Sequence, residues 1–368
     1  MCTGVGFITT DGNTVFGRTQ EYAMPLPVQG AIIPRGHVST SQLLTPVTFK
    51  YATVAIVMDG KMKDMNLAEQ LKAFNPEMAA LVDQSEETEM IMDGVNEKGL
   101  AGGSFYFGNG YNKYAEVEDI KAAGKTPMRG EEIVTYVLAN YSSVEDIKAN
   151  INNDVQAANV KNVLGVAQPQ HYVFYDNTGA SIAVEPDNYN GFTITENTAM
   201  VFTNTPHMDW HLKNLQNYVG LDYYKNEPRE IGTTMAMSAG KGSGVFGLPG
   251  DFTPQSRFAR AGVLRNLMVQ PKDAEEGLHR IYNLLNQFDL PYGIVRTPGE
   301  MIEGEDAVHY TEYTSAYSLD PNKLVLTVRT FEDGQIQRLE MTPDMFEGDK
   351  VLRATVSRKQ TYNVLSAN

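Results

Sequence analysis

The sequence predicts an α+β fold of antiparallel sheets covered by helical layers, on three observations. Strand candidates come in pairs joined by tight turns, and helix candidates come in consecutive pairs. No stretch alternates strand and helix in the βαβ manner that a parallel sheet requires. No internal repeat, low-complexity run or Pro/Ser-rich linker divides the chain, so residues 1–368 are expected to form a single domain.

The elements follow in order. Residues 5–8 and 14–16 flank Asp11-Gly12-Asn13 and read as a hairpin that begins almost at the first residue. Residues 51–58 form another strand candidate. The stretch 60–90 is rich in Met, Glu and Lys, and 66–81 reads as a helix around Leu67, Leu71, Phe74, Met78 and Leu81. Two helices are expected next. The first covers 131–139, with Ile133, Val134, Val137 and Leu138 at helical spacing. The second opens on a capping box of Ser142 with Glu145. The chain then turns to β, with HYVFYD, the turn Asn177-Thr178-Gly179, ASIAVEP, GFTITE and AMVFTN. Thr253-Pro254 reads as an N-cap followed by proline at the first helical position. A further helix covers about 277–288, and KLVLTVRTF and QIQRLEM form a hairpin about Glu332-Asp333-Gly334.

Composition narrows the function. The 368 residues carry 45 acidic and 30 basic side chains, a net charge of −15. Phosphate contacts need clustered Lys and Arg, so nucleic acid and anionic membrane are not expected partners. The single cysteine allows no intrachain disulfide and no Cys-based zinc site. With no basic-then-apolar leader and no run of 18 apolar residues, a soluble cytoplasmic protein is expected.

Several motifs compete. Gly242-Ser243-Gly244-Val245-Phe246-Gly247 matches G-x-G-x-x-G, but no apolar strand precedes it and another turn follows, so a dinucleotide site is not expected. His207 and His211 are four apart, yet Met208 stands where a zinc hydrolase needs Glu, and packing with Trp210 is the favoured reading. His37, His171, His279 and His309 form no sequence cluster, so neither a metal nor a cofactor is expected. No G-x-S-x-G elbow occurs. Cys2 stands apart. Removal of Met1 would give it a free α-amine, whose reference pKa of ~7.7–8.0 lets it act as base to its own thiol. A nearby cation would favour the thiolate, with Arg18 and Arg257 the candidates. The alternative is a small buried hydrophobe.

Met1-Cys2-Thr3-Gly4, Phe16-Gly17-Arg18-Thr19, Asp93 to Leu100, Thr203-Asn204-Thr205-Pro206, Asp209-Trp210-His211 and Gly247 to Pro254 stand in one order. With Ser256-Arg257-Phe258 and Tyr313-Thr314-Ser315, they resemble the choloylglycine hydrolase family over nearly the whole chain. These are N-terminal-nucleophile hydrolases, comprising conjugated bile salt hydrolases and penicillin V acylases. The resemblance implies a four-layer αββα sandwich and a homotetramer. It also implies Cys2 as nucleophile, Arg18 beside the thiol, Asn204 as oxyanion donor and Arg257 as a second active-site arginine. Glu21 stands where the family usually has an Asp that contacts the N-terminal amine. Tyr106 stands where bile salt hydrolases tend to have Asn and penicillin V acylases Tyr; its backbone N–H could serve the oxyanion hole. Residues 60–92 are longer than the family's usual connection, an insertion expected to form a lid or a subunit contact.

These features predict hydrolysis of a linear amide C–N bond in a small anionic substrate, with phenoxyacetyl-type penicillins as representatives. Phe105, Tyr106, Phe107 and the region of Met24 are the expected apolar wall. Deconjugation of glycine- or taurine-linked bile acids is the alternative within the family. A non-catalytic binding protein on the same fold is the alternative of another class.

Overall fold

The computed structural model describes residues 1–23, 26–40, 43–58, 88–162, 165–302, 305–362 and 365–366. Met24 and most of the 60–92 insertion, including the expected helix 66–81, lie outside the described residues. The first sheet contains β1 (Cys2–Ile8), β2 (Thr14–Tyr22), β10 (Val201–Phe202), β11 (Val295–Ile302), β12 (Glu305–Ser318), β13 (Leu324–Thr330) and β14 (Gln337–Met341). Their order is β10-β1-β2-β12-β13-β14, with β11 also on β12. The second runs β9-β8-β7-β6-β5-β4-β3-β15, formed by β3 (Val28–Ile33), β4 (Thr53–Met58), β5 (Ile91–Asn96), β6 (Ala101–Tyr106), β7 (Gln170–Tyr175), β8 (Ser181–Asn188), β9 (Gly191–Glu196) and β15 (Leu352–Thr355). Every pairing in both sheets is antiparallel.

Two buried clusters hold four layers together. α1 (Ile133–Asn140) and α2 (Val144–Asp154) bury Ile133, Val137 and Ile147 against Tyr172 and Phe174 of β7. The alternate β7 residues, Val173 and Tyr175, face the first sheet, as the two-residue period of a strand requires. Tyr175 stacks on Phe16 of β2 at 4.7 Å between ring centroids and ties the sheets together. On the outer side of the first sheet, α4 (Pro254–Leu267) and α5 (Ala274–Leu285) bury Phe258, Leu278 and Ile281. The result is the αββα sandwich. Gly17 makes the α5 contact possible, because a Cβ there would stand 2.3 Å from Ile281 Cγ2 and 2.7 Å from the Ser315 carbonyl.

Helix starts depart from the sequence reading at three places: α1 opens at Ile133 rather than 131, after the 3₁₀ turn Gly130–Glu132, α5 opens at Ala274 rather than about 277, and the cap differs at α2. There the cap is Ser143, whose hydroxyl accepts from the Asp146 amide, and Asp146 reaches back to the Ser142 N–H at 2.8 Å. Ser143 rather than Ser142 is thus the cap, and Asp146 rather than Glu145 bonds back to the residue before the cap. Thr253 caps α4 as expected. The Gly242–Gly247 stretch forms a single tight 3₁₀ turn, Ser243–Val245, with Gly244 pressed on the Asp222 and Tyr224 carbonyls. It does not open a longer helix.

Candidate active site

Cys2 opens β1 and pairs with Gln20 of β2, which pairs with Tyr313 of β12. Two residues along β2, Arg18 lies on the same face and pairs with Ser315. This row faces the second sheet, so Cys2 sits at the mouth of a buried polar seam between the sheets. Its thiol is 2% exposed at the residue level and lies 2.9 Å from Arg18 Nη2 and 3.8 Å from Gln20 Oε1.

The Arg18 guanidinium is wholly enclosed. Nη2 also donates to Gln20 Oε1, Nη1 donates to the Ser104 carbonyl at 2.6 Å and Nε to the Thr19 carbonyl, while the Phe105 ring covers it at 4.4 Å. Its charge partner is Asp93 of β5, with Nη1 to Oδ2 at 3.7 Å. Burial pulls Arg18 down, but negative charge on Cys2, Tyr313, Asp93 and Glu21 outweighs it and lifts the group above its ordinary value.

Arg257 reaches Cys2 from the other side. Asp251 prepares the turn before α4 by accepting from Thr253 N, Thr253 Oγ1 and Ser256 Oγ at 2.6–2.8 Å, bonds that hold its carboxyl down at about 2. Arg257 then donates through Nη1 to the Cys2 carbonyl and to Thr3 Oγ1, through Nη2 to Asn204 Oδ1 at 2.7 Å and through Nε to the Phe252 carbonyl. Burial holds it below its ordinary value, against Glu21 and Cys2. Both arginines are thus taken up by the chain's own oxygens. Between them they hold Cys2 and Asn204.

Asn204 follows the short strand β10. Its Oδ1 accepts from Cys2 N at 2.8 Å as well as from Arg257, so the amide cannot flip and Nδ2 points to the Tyr106 carbonyl at 2.9 Å. One Nδ2 hydrogen is used there, which leaves the other for an oxyanion. Two histidines fix the backbone behind it. His211 Nε2 lies 2.9 Å from the Asn204 carbonyl and His171 Nε2 3.1 Å from that of Thr203. His211 also stacks on Phe258, and burial lowers it to about 4. The sequence reading saw no histidine cluster, but β7 and the 203–208 turn bring His171 and His207 to the same buried carboxylate, Glu185. Although burial raises Glu185, hydrogen bonds from His171 and the Met208 amide, with the His207 ring 3.7 Å away, outweigh it and hold the carboxyl at about 2. Trp210, expected in packing, is partly exposed.

Glu21 is buried beside the chain start; its backbone N–H donates to the Met1 carbonyl and its Oε1 accepts from Thr311. Burial pushes its carboxyl above the usual carboxylate range, against the N-terminal amine, Arg257, Thr19 and Arg18. Oε2 has no hydrogen-bond partner among the described residues. Phe105 and Phe107 are fully buried, the first beneath Arg18 and the second stacked on His171 at 4.2 Å. Between them Tyr106 projects outward, 47% exposed, and its phenol lies over Gly108. Gln20, Ser104 and Asp93 had no individual signal in the sequence beyond Asp93's place in a family motif. Among the described residues no group of three or more His, Cys, Asp or Glu could hold a metal, and no helix is long and apolar enough to cross a membrane.

The family model for linear amide C–N hydrolases, choloylglycine hydrolase family, matches residues 2–351. The chain belongs to that family. It is 31% identical to the bile salt hydrolase/transferase of Clostridium perfringens, over 95% of each chain. The conjugated bile acid hydrolase of Lactobacillus gasseri is 27% identical, over 86% of this chain and 89% of that one. Among solved structures, a C2A mutant of the conjugated bile acid hydrolase from Clostridium perfringens superposes with a TM-score of 0.82 at 28% identity over the full length of both. Its R18L variant gives the same score over 99% of this chain and 100% of that one. Penicillin V acylase from Agrobacterium tumefaciens shares the fold, with a TM-score of 0.68 at 17% identity over 96% of this chain and 90% of that one. The family chemistry is hydrolysis of linear amide C–N bonds, and the αββα fold is common to these relatives.

Proposed function

We propose that Cys2, freed at its amine by removal of Met1, is the nucleophile of an amide hydrolase. One observation carries the reading: the only thiol in the chain lies 2.9 Å from a buried guanidinium, while its backbone nitrogen is held 2.8 Å from Asn204 Oδ1. With Met1 gone that nitrogen is an amine, and the orphaned Glu21 Oε2 is close enough to the chain start to take its charge. The amine accepts the thiol proton, sulfur attacks the amide carbonyl, and the C–N bond breaks as the proton passes to the leaving nitrogen. Water then attacks the thioester, with the same amine as base, and releases the acid. The remaining Asn204 Nδ2 hydrogen and the Tyr106 backbone N–H are the proposed oxyanion donors.

For the substrate, the exposed Tyr106 ring beside Asn204 favours an aromatic acyl group, with penicillin V the representative. Conjugated bile acid is the second reading, favoured by the names of the relatives at 27–31% identity. Turnover of penicillin V against glycocholate decides between them. Faster release from glycocholate would overturn the first. A Cys2→Ser protein that keeps full activity on either would overturn the mechanism.

A further inference from the structure

The buried seam holds a second carboxylate that the proposed chemistry does not use. Asp93, fully buried, accepts from Tyr313 Oη at 2.7 Å through Oδ2 and from Ser315 Oγ at 2.7 Å and Tyr317 Oη at 2.6 Å through Oδ1. The three donors are alternate residues of β12, so the strand period alone lines their hydroxyls along one face. Tyr313 and Tyr317 are held well above the usual phenol range, first by burial and then by Asp93, so they stay protonated and act as donors. Such saturation leaves the carboxylate one direction in which to act on charge, the Arg18 guanidinium.

We propose that Asp93 is a positioning residue for the nucleophile. Clamped by Tyr313, Ser315 and Tyr317, it anchors the Arg18 guanidinium at the Cys2 sulfur and sets how readily that thiol ionises. Two effects follow from one contact. Asp93 gives a fully buried cation the partner it needs in a low-dielectric seam. It also offsets part of the positive charge that the sulfur feels, keeping the thiol from becoming a permanently ionised and weaker nucleophile. The other charged or titratable groups around this pair are Glu21 and Arg257 on the Cys2 side, the chain's amine, and Tyr313 and Tyr317 on the Asp93 side; Tyr282 of α5 lies across the first sheet, on its outer face. This inference rests on Cys2 as the reacting group.

The test is the pH dependence of iodoacetamide alkylation, followed by intact mass on the full chain, which the single thiol makes unambiguous. In Asp93→Asn the guanidinium keeps its bonds to the Thr19 and Ser104 carbonyls and to Gln20, only the charge offset is lost, and the midpoint is expected to fall by about half a pH unit or more. In Tyr313→Phe the Oδ2 atom keeps only Arg18, the guanidinium is drawn away from sulfur, and the midpoint is expected to rise. A merely structural role would lower the melting temperature in both and move the midpoint in neither. Unchanged midpoints, or shifts of the same sign, overturn the proposal. If Asp93→Asn does not fold, Tyr313→Phe decides alone, an unmoved or lowered midpoint counting against it. Turnover of the parent enzyme is a separate readout, so failure on every amide would defeat the functional reading without moving these midpoints.

Discussion

Two buried arginines grip the same cysteine from opposite sides, and their surroundings differ in kind. Arg18 sits in the seam between the sheets, faces a carboxylate, and touches the sulfur. Arg257 stands near the start of a helix, meets only neutral oxygens directly, and touches the Cys2 backbone and Asn204. Burial acts on both, yet it prevails only on Arg257, because Arg18 gathers more negative charge, from Cys2 and Tyr313 first and then from Asp93 within ion-pair distance and from Glu21. One arginine therefore governs charge at the Cys2 thiol and the other governs geometry. Charge survives replacement by another cation, whereas forked geometry does not.

The comparison breaks first at Asn204, which the Arg257 side exists to hold. Asn204→Ala removes a proposed oxyanion donor, and kcat is expected to fall by about 10²–10³-fold with a smaller change in KM. Steady-state kinetics on whichever amide is turned over checks this. Next comes the pair of lysine replacements. Arg257→Lys cannot make the same set of bonds to the Cys2 carbonyl, Thr3 and Asn204, and is expected to lower kcat by about 100-fold. Arg18→Lys keeps a cation beside sulfur and is expected to cost about 10-fold. Equal losses, or the reverse order, would remove the distinction.

Acid should act through the backing of Asn204. His211 is lowered from 6.5 to about 4, so between those values the unfolded chain binds a proton that the folded one does not. Stability from this residue is full above about 6.5 and is lost as pH falls toward 4. Thermal melts across that window are expected to show a falling melting temperature, and His211→Phe, which keeps the stack on Phe258, to flatten the slope. A smaller effect is expected at the Arg257 helix start: Thr253→Ala should destabilise by ~1 kcal/mol in denaturant unfolding. Smallest is Gly108→Ala, whose Cβ would fall 2.2 Å from Tyr106 Oη. The exposed ring should swing aside, raising KM for an aromatic acyl substrate a few-fold while the melting temperature stays put.

Hairpins, the α4 start and the αββα layers were legible because each rests on local chemistry or on colinear motifs. Asp11-Gly12-Asn13 and Thr253-Pro254 each act within a few residues of chain. Cys2, Arg18, Asn204 and Arg257 were likewise legible as candidates, and the fold brings all four together. The Asp93 clamp was not. It joins β2, β5 and β12, with partners more than 200 residues apart in sequence, and the alternation of hydroxyls at Tyr313, Ser315 and Tyr317 means nothing until β12 is known to face β5. The same holds for Glu185, which gathers His171 and His207 only after β7 and β8 pair. Phe105 and Phe107 were misjudged for a simpler reason. Phe105 near the end of β6 and Phe107 just past it flank Tyr106 and both turn inward, and here that side is the core.

The most direct test of the account is intact mass of the active enzyme before and after iodoacetamide. The account predicts a chain lacking one methionine, one adduct located at Cys2, and turnover lost in proportion to labelling. A fully active chain that retains Met1, or a fully labelled one that still hydrolyses its amide, would contradict it.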